Sequence, residues 1–193
     1  MTTNLPEIER DALQEVMNIA MGQAADALAQ LAGIQVRLTI PKIHFIGEGK
    51  VNSIVGQGES LVSIRQSFMG DISGELLTLL STKELDILAY ALQYDVPLSD
   101  QERSELLLDV ANMLNSACLV GVIRQLELRA NASIPSIISL DVERFLEHWR
   151  SAFLLEIDFA IDEFEFEARV FIGVDEASFH KILTAVKVLL GEL

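Results

Sequence analysis

Residues 11–22 read DALQEVMNIAMG, and residues 105–116 read ELLLDVANMLNS. Apolar residues recur every three or four positions in both stretches, and this spacing predicts an amphipathic helix. Each stretch also places an Asn in the middle of the predicted helix, Asn18 in the first and Asn112 in the second. Asn is a poor residue for a helix interior. Its presence at the same place in both stretches therefore indicates something other than helix stability.

The two stretches belong to a longer repeat. A Pro follows each Asn at the same distance, Pro41 in the first half and Pro135 in the second, so that the paired residues are all 94 positions apart. A fixed separation of this kind indicates a duplicated unit. We therefore predict one domain over residues 1–193, made of two repeats that cover 5–96 and 98–193 and are related by a pseudo-twofold axis.

The order of hydrophobic patterns is the same in both halves. Each half begins with a long helical pattern, continues with three strand-like runs and closes with a shorter helix, which predicts a mixed α+β fold. The predicted strands cover 34–40, 60–68, 71–80, 128–140, 153–161 and 164–172, and the predicted helices cover 4–33, 81–94, 100–126 and the segment from 175 onward. Residues 141–151 form an insertion in the second half, and we expect its His148-Trp149 pair to cover the core.

Composition excludes several classes of function. Half of the 193 residues are hydrophobic, which is enough for a sizeable core, and the formal net charge is −15. A polyanion of this size repels phosphate backbones and anionic lipids, so we expect no nucleic-acid or membrane partner. The single cysteine, Cys118, can form neither an internal disulfide nor a cysteine-based zinc site.

No targeting segment is evident in the sequence. The first residues, MTTNLPEIERD, lack the basic and apolar regions of a signal peptide. The longest apolar stretch, 111–123, is interrupted by polar residues and is shorter than the ~20 residues of a membrane span. We therefore expect a soluble, cytoplasmic protein, and nothing in the sequence requires a dimer.

The first long helix carries a polar face. At about 100° per residue, Asp11, Glu15, Asn18 and Gly22 lie within roughly 60° of the helix circumference. The Cβ atoms of residues three apart, such as Glu15 and Asn18, are about 5–6 Å from each other. A carboxylate thus neighbours a carboxamide, and the small residue one turn beyond lets another surface approach the Asn.

The second long helix repeats this face with Glu105, Asp109, Asn112 and Ser116. A single acidic residue three positions before an Asn is usually part of a solvated helix face. The recurrence of the triplet at one spacing from a downstream Pro favours a functional surface instead.

The spacing Asp11-x3-Glu15-x2-Asn18-x22-Pro41 resembles the motif of the CheC/CheX/FliY family of chemotaxis response-regulator phosphatases. That family's motif is Asp/Ser-x3-Glu-x2-Asn-x22-Pro, and the long spacer makes the match specific. Within the family the sequence is most similar to CheC, which carries two motifs.

The second copy of the motif departs from the family pattern at two places. Glu105 stands where the family has Asp or Ser, and Asp109 stands where it has Glu, whereas Asn112 and Pro135 are retained. Because Asp is one methylene shorter than Glu, we expect the Asn112 site to be weaker than the Asn18 site but still active.

The resemblance implies a fold and a substrate. The implied fold has two long antiparallel helices packed, with shorter helices, on a six-stranded, largely antiparallel sheet, with the motif faces outward. The implied substrate is the aspartyl phosphate of a CheY-like receiver domain, which supplies its own Lys and Mg²⁺. No cofactor of this chain's own is expected.

The resemblance also implies a role for each motif residue. Asn18 or Asn112 would hold the attacking water in line, because a carboxamide both donates and accepts hydrogen bonds. Glu15 or Asp109 would pair with a Lys of the receiver and fix its position. The alternative function is a non-catalytic adaptor that binds a response regulator or the deamidase CheD.

Overall fold

A computed structural model describes the chain over residues 6–32, 37–38, 42–45, 61–82, 85–139, 145, 153–161 and 166–191. Four helices and eight strand segments lie in these ranges. The helices are α1 (Glu7–Ala32), α2 (Leu85–Ala91), α3 (Asp100–Gln125) and α4 (Glu176–Leu189). The strands are β1 (Arg37–Leu38), β2 (Lys42–Phe45), β3 (Leu61–Gly70), β4 (Gly74–Ser81), β5 (Ala130–Ala132), β6 (Ser136–Ile138), β7 (Phe153–Ile161) and β8 (Phe166–Val174). The mixed α+β class is as predicted.

Two helices begin at residues whose side chains cap the first turn. Ser99 caps α3 in a capping box, in which the backbone N–H of Glu102 donates to Ser99 Oγ and the Ser99 N–H donates to Glu102 Oε2 over 2.7 Å. The Ser99 hydroxyl also donates to Glu102 Oε2 over 2.6 Å, and this hydrogen bond, together with the one from the Ser99 N–H, stabilises the carboxylate and lowers the pKa of Glu102. Asp175 caps α4 by accepting the N–H of Ser178 over 2.7 Å.

The strands form one antiparallel sheet. Its central order is β1-β7-β8-β4-β3-β5, with β2 also paired to β7 and β6 also paired to β3. Each half therefore places its short first strands beside the first long strand of the other half, β7 or β3, while β4 and β8 meet in the middle. We retain the internal repeat and its twofold axis as predictions, which this order supports.

The predicted six strands differ from the eight strand segments observed. β1 and β2 follow one another along the edge of β7, and β5 and β6 follow one another along the edge of β3. The predicted strand over 128–140 is interrupted at 133–135. Pro135 lies in this gap, where its missing N–H cannot contribute to a ladder.

The helices pack on one face of the sheet. Alternate residues of β3, β4 and β8 point to that face and join the core cluster with residues of α1, α3 and α4. The core cluster includes the fully buried Leu13, Met17, Ile64, Leu76, Val170 and Val186. Leu77 and Phe171, which are paired across β4 and β8, are fully buried on the other face. Of the predicted insertion over 141–151, only Phe145 is described, and its side chain is buried; His148 and Trp149 lie outside the described residues.

The two long helices touch through a small residue. A Cβ placed on Gly121 of α3 would lie 2.5 Å from the carbonyl oxygen of Ala20 on α1. Glycine is therefore what allows the backbones of α1 and α3 to approach here. At Gly22, two residues further along α1, a Cβ would meet no atom within 4 Å.

Helix α3 is long and apolar enough, by length and composition, to cross a membrane, in contrast to our expectation from the sequence. The inner face of α3 packs on the sheet, and 56% of its most apolar window is buried in the protein. We therefore assign α3 as a core helix.

Candidate functional site

The first motif lies on the solvent-facing side of α1. Asp11, Glu15 and Gly22 are exposed and Asn18 is half-buried, as the helical spacing predicts. One turn before Asn18, Gln14 donates from Nε2 to Asn18 Oδ1 over 3.1 Å. The carboxylate of Glu15 is thus accessible at the surface of α1, and the carboxamide of Asn18 is partly so.

The second motif lies on α3 with the same exposure. Glu105, Asp109 and Asn112 are exposed, and Ser116 is half-buried. Gln101 donates from Nε2 to Glu105 Oε1 over 2.9 Å. Because their side chains are exposed, Glu105 and Asp109 are both accessible to solvent.

The carboxylate of Asp109 is held by a tyrosine. The hydroxyl of Tyr94, in the segment between α2 and α3, donates to Asp109 Oδ2 over 2.9 Å. Partial burial raises the pKa of Tyr94, and the hydrogen bond to Asp109 and the negative charges of Asp109 and Glu105 raise it further. The tyrosine consequently remains a neutral donor to Asp109 at physiological pH.

The carboxamide of Asn112 is held from the sheet. Gln66 of β3, only 2% exposed, donates from Nε2 to Asn112 Oδ1 over 3.0 Å. The same nitrogen donates to the carbonyl oxygen of Ser133 over 2.7 Å. An exposed motif residue is in this way connected to the protein interior.

The two motif prolines differ in what the structure shows of them. Pro41 lies outside the described residues. Pro135 is half-buried and follows Ser133, whose N–H donates to Ser67 O over 2.8 Å and whose Oγ accepts the Ser67 N–H over 3.1 Å. Ile134, between them, is 90% exposed and therefore offers an apolar contact beside the Asn112 site.

Other candidates for chemistry are not supported within the part of the chain that is described. In those ranges no group of three or more His, Cys, Asp or Glu side chains could hold a metal ion. Cys118 is fully buried in α3, and burial raises the pKa of its thiol, so that the thiolate needed for nucleophilic chemistry is disfavoured. The motif faces of α1 and α3 are therefore the candidate site.

Gln66 and Tyr94 are contacts of the site that the motif spacing does not predict. Gln66 occupies a core-facing position between the buried residues Ile64 and Phe68 of β3, where a polar side chain requires a partner. A polar residue at a core-facing strand position is therefore a feature by which Gln66 could be identified from the sequence. No comparable sequence feature identifies Tyr94, because its contact with Asp109 depends on how the segment after α2 folds back on α3.

Comparison with known proteins places the first motif in a family. Residues 8–44 match the model of the CheC-like family. The flagellar motor switch phosphatase FliY of Bacillus subtilis strain 168 is 31% identical over 86 residues, which are 45% of this chain and 22% of FliY. The chain therefore spans about a fifth of the length of that curated relative.

Solved structures share the fold over most of the chain. FliY of Thermotoga maritima superposes with a TM-score of 0.66 at 15% identity, over 99% of this chain and 100% of that one. One chain of the CheX-CheY-BeF3-Mg²⁺ complex of Borrelia burgdorferi superposes with a TM-score of 0.57 at 12% identity, over 84% of this chain and 99% of that one. The family resemblance is confirmed by the model match, the FliY relative and these folds, whereas the roles of the motif residues stay predictions.

Proposed function

We propose that this chain, a relative of the CheC/CheX/FliY family by its first motif and its fold, accelerates hydrolysis of the aspartyl phosphate of a CheY-like response regulator. The observation that carries the proposal is the exposed face of α1, on which Asp11, Glu15 and Asn18 are all present at the family's spacing. An exposed convex helix face suits a macromolecular substrate, because a small molecule is usually bound in a concave pocket.

The chemistry requires little from this chain beyond positioning. Water attacks the phosphorus, the bond from phosphorus to the aspartyl oxygen breaks, and the carboxylate leaves with the electron pair. Asn18 and Asn112 orient the water by hydrogen bonds from and to the carboxamide. The acceleration of hydrolysis comes from alignment of this water with the phosphorus, as it does for the Gln that orients water in GTPases.

Docking is fixed by acidic residues on the same faces. Glu15 at the first site and Asp109 at the second pair with a Lys of the receiver. The shorter reach of Asp109 weakens docking at the second site, and a misplacement of about 1 Å can cost a factor of ~100. We therefore expect Asn18→Ala to remove more activity than Asn112→Ala when the regulator is scarce.

The metal in this scheme belongs to the substrate protein. The related CheX-CheY complex was solved with BeF3 and Mg²⁺. Mg²⁺ bound by the receiver neutralises charge on the phosphoryl group, so no cofactor site of this chain's own is invoked. The proposal places the protein in the cytoplasm, in chemotaxis or two-component signalling, and CheD is a further partner that the resemblance predicts.

One experiment separates a phosphatase from an adaptor. Phosphate loss from a 32P-labelled CheY-type receiver is followed alone, with wild-type protein and with the Asn18→Ala/Asn112→Ala double variant, while binding is measured by calorimetry with BeF3-activated receiver. A phosphatase accelerates phosphate loss, and the double variant binds without accelerating it. Equal binding with no acceleration by the wild type would establish an adaptor.

A further inference from the structure

A chain of buried polar side chains ends at the second motif. Thr78 Oγ1 donates to Asn115 Oδ1 over 2.6 Å, and Asn115 Nδ2 donates to Gln66 Oε1 over 2.9 Å. Gln66 Nε2 in turn donates to Asn112 Oδ1 over 3.0 Å. Thr78 and Asn115 are fully buried, and Gln66 is 2% exposed. Three buried polar groups thus connect β4, α3 and β3 to one exposed carboxamide.

The direction of this chain is fixed by a backbone carbonyl. The carbonyl oxygen of Ser133 can only accept, so the Gln66 atom 2.7 Å away from it must be the amide nitrogen. Ser133 is itself held by two hydrogen bonds with the backbone of Ser67. Both N–H groups of the Gln66 amide are then used, one on Ser133 and one on Asn112.

The anchored amide determines how Asn112 is presented. Because Gln66 donates, Asn112 must offer its oxygen to Gln66, and its Nδ2 is left to donate outward. A carboxamide that rotated freely would exchange these roles. A side chain whose donor direction is already set loses less entropy when it orients a water in the transition state.

Among the described residues, the first motif has no equivalent of this buried chain of hydrogen bonds, because Asn18 Oδ1 accepts from Gln14, a half-buried neighbour on the same helix. The offset of 94 relates Asn115 to Met21 and Thr78 to Ile172, and neither counterpart can form these hydrogen bonds. The counterpart of Gln66 follows from the strand register.

Lys42 pairs with Glu156 on β7, and Ser136 pairs with Arg65 on β3. Lys42 and Ser136 are themselves 94 apart, so Arg65 corresponds to Glu156. Gln66, the next residue after Arg65, therefore corresponds to Ile157, whose side chain cannot form a hydrogen bond.

We propose that Gln66 is a positioning residue for Asn112, and that the Thr78–Asn115–Gln66 chain sets the turnover of the second site alone. This inference rests on the proposed phosphatase function. It separates two effects at the second site: the short Asp109 weakens docking there, whereas the pre-oriented Asn112 supports the chemical step. The second site is then weak at low regulator concentration and effective at saturation.

The test measures each site by itself in the full-length chain. Gln66→Met, which keeps the side-chain length and removes the amide, is introduced into Asn18→Ala, where only the second site operates, and into Asn112→Ala, where only the first operates. Ile64→Val, a buried change on the same strand, is the matched control. The kcat and KM for a phosphorylated CheY-type receiver are determined for each protein.

We expect Gln66→Met to lower the second-site kcat about tenfold or more, with KM changed less than twofold, because Gln66 is buried beneath the docking face. The first-site kcat should change less than twofold, and Ile64→Val should spare both sites. An equal loss of kcat at both sites would show general destabilisation and overturn the proposal. If Gln66→Met fails to fold, Thr78→Val is the second variant, a milder change at the far end of the Thr78–Asn115–Gln66 series of hydrogen bonds. It should also lower the kcat of the second site and spare that of the first.

A second readout is independent of activity. The side-chain amide of Asn112, assigned by its loss in Asn112→Ala, should have a high NMR order parameter that falls below about 0.6 in Gln66→Met. An unchanged order parameter would contradict the positioning role. If wild-type protein fails to accelerate phosphate loss, the proposed function fails, and the order parameter alone still decides whether Gln66 positions Asn112.

Discussion

The hydroxyl of Tyr94 donates a hydrogen bond of 2.9 Å to Oδ2 of Asp109. This contact joins the segment after α2 to the acidic residue of the second motif. It restricts the rotation of a carboxylate that would otherwise be free on an exposed helix face. The second site thus has a fixed acid, in Asp109, as well as a fixed carboxamide, in Asn112.

Tyr94→Phe removes the donor and should weaken docking at the second site. We expect KM for the phosphorylated regulator to rise about three- to tenfold in the Asn18→Ala background, because one such hydrogen bond contributes about 0.5–1.5 kcal/mol. Tyr90→Phe, at a tyrosine that is 73% exposed, is the control and should leave KM unchanged. A fall in kcat with no change in KM would show that Tyr94 acts on the chemical step instead.

The ionisation of Tyr94 can be observed directly, because the chain contains only two tyrosines. In Tyr90→Phe the phenolate absorbance reports Tyr94 alone, and its midpoint should lie above the ordinary value of 10.0. Removing the carboxylate with Asp109→Ala should move the pKa of Tyr94 back toward 10.0 without reaching it, since partial burial is the largest cause of the shift. A midpoint that does not respond to Asp109→Ala would contradict the contact.

The same shift has a consequence for stability. The folded-state pKa of Tyr94 is raised above the unfolded value, so its contribution to the free energy of unfolding is complete below the unfolded pKa, near pH 10. That contribution is lost as the pH rises through the folded-state pKa. Urea unfolding of wild type and Tyr94→Phe should therefore converge in alkaline solution and differ at neutral pH.

Two glycines provide a matched pair for the packing of α1 on α3. Gly121→Ala places a Cβ 2.5 Å from the Ala20 carbonyl oxygen, and backbone must move to relieve the clash. We expect the free energy of unfolding to fall by about 1–3 kcal/mol. Gly22→Ala meets no atom within 4 Å and should be neutral or stabilising by up to about 1 kcal/mol, because Ala is the better helix former. Equal effects of the two changes in urea unfolding would show that the helices do not meet at Gly121.

Open space at Gly22 also allows a test of the docking face. Gly22→Trp should fold normally, since Gly22 is exposed and a Cβ there meets no atom within 4 Å, yet it should obstruct a partner that approaches Asn18. In the Asn112→Ala background we expect KM for the regulator to rise about tenfold or more, since a tenfold change requires the loss of only about 1.4 kcal/mol of binding free energy. Normal docking with a Trp at this position would place the interface elsewhere.

Much of the fold could be predicted because its signals are local. The second long helix was predicted over 100–126 and is found over Asp100–Gln125, and the strand over 153–161 is found with the same bounds. The capping box at the start of α3, formed by Ser99 and Glu102, is likewise a short local motif. The interruption between β5 and β6 was missed, because alternation continues through 133–135 although the ladder does not.

The supporting contacts of the site could not be predicted in the same way. Asn112 and Asn115 each meet Gln66 across more than 45 residues of sequence. In the sequence alone, Asn115 is one of the polar residues that interrupt the apolar stretch 111–123. Such partners depend on which strand lies beneath which helix, and a helical or strand period contains no information about that pairing.

The central claim is that the two carboxamides align the water that hydrolyses a receiver's aspartyl phosphate. Its most direct test is the rate of phosphate loss from a phosphorylated CheY-type receiver in Mg²⁺ with wild type, Asn18→Ala, Asn112→Ala and the double variant. We predict acceleration by the wild type, a larger loss in Asn18→Ala than in Asn112→Ala below saturation, and no acceleration by the double variant. Full acceleration by the double variant would contradict the claim.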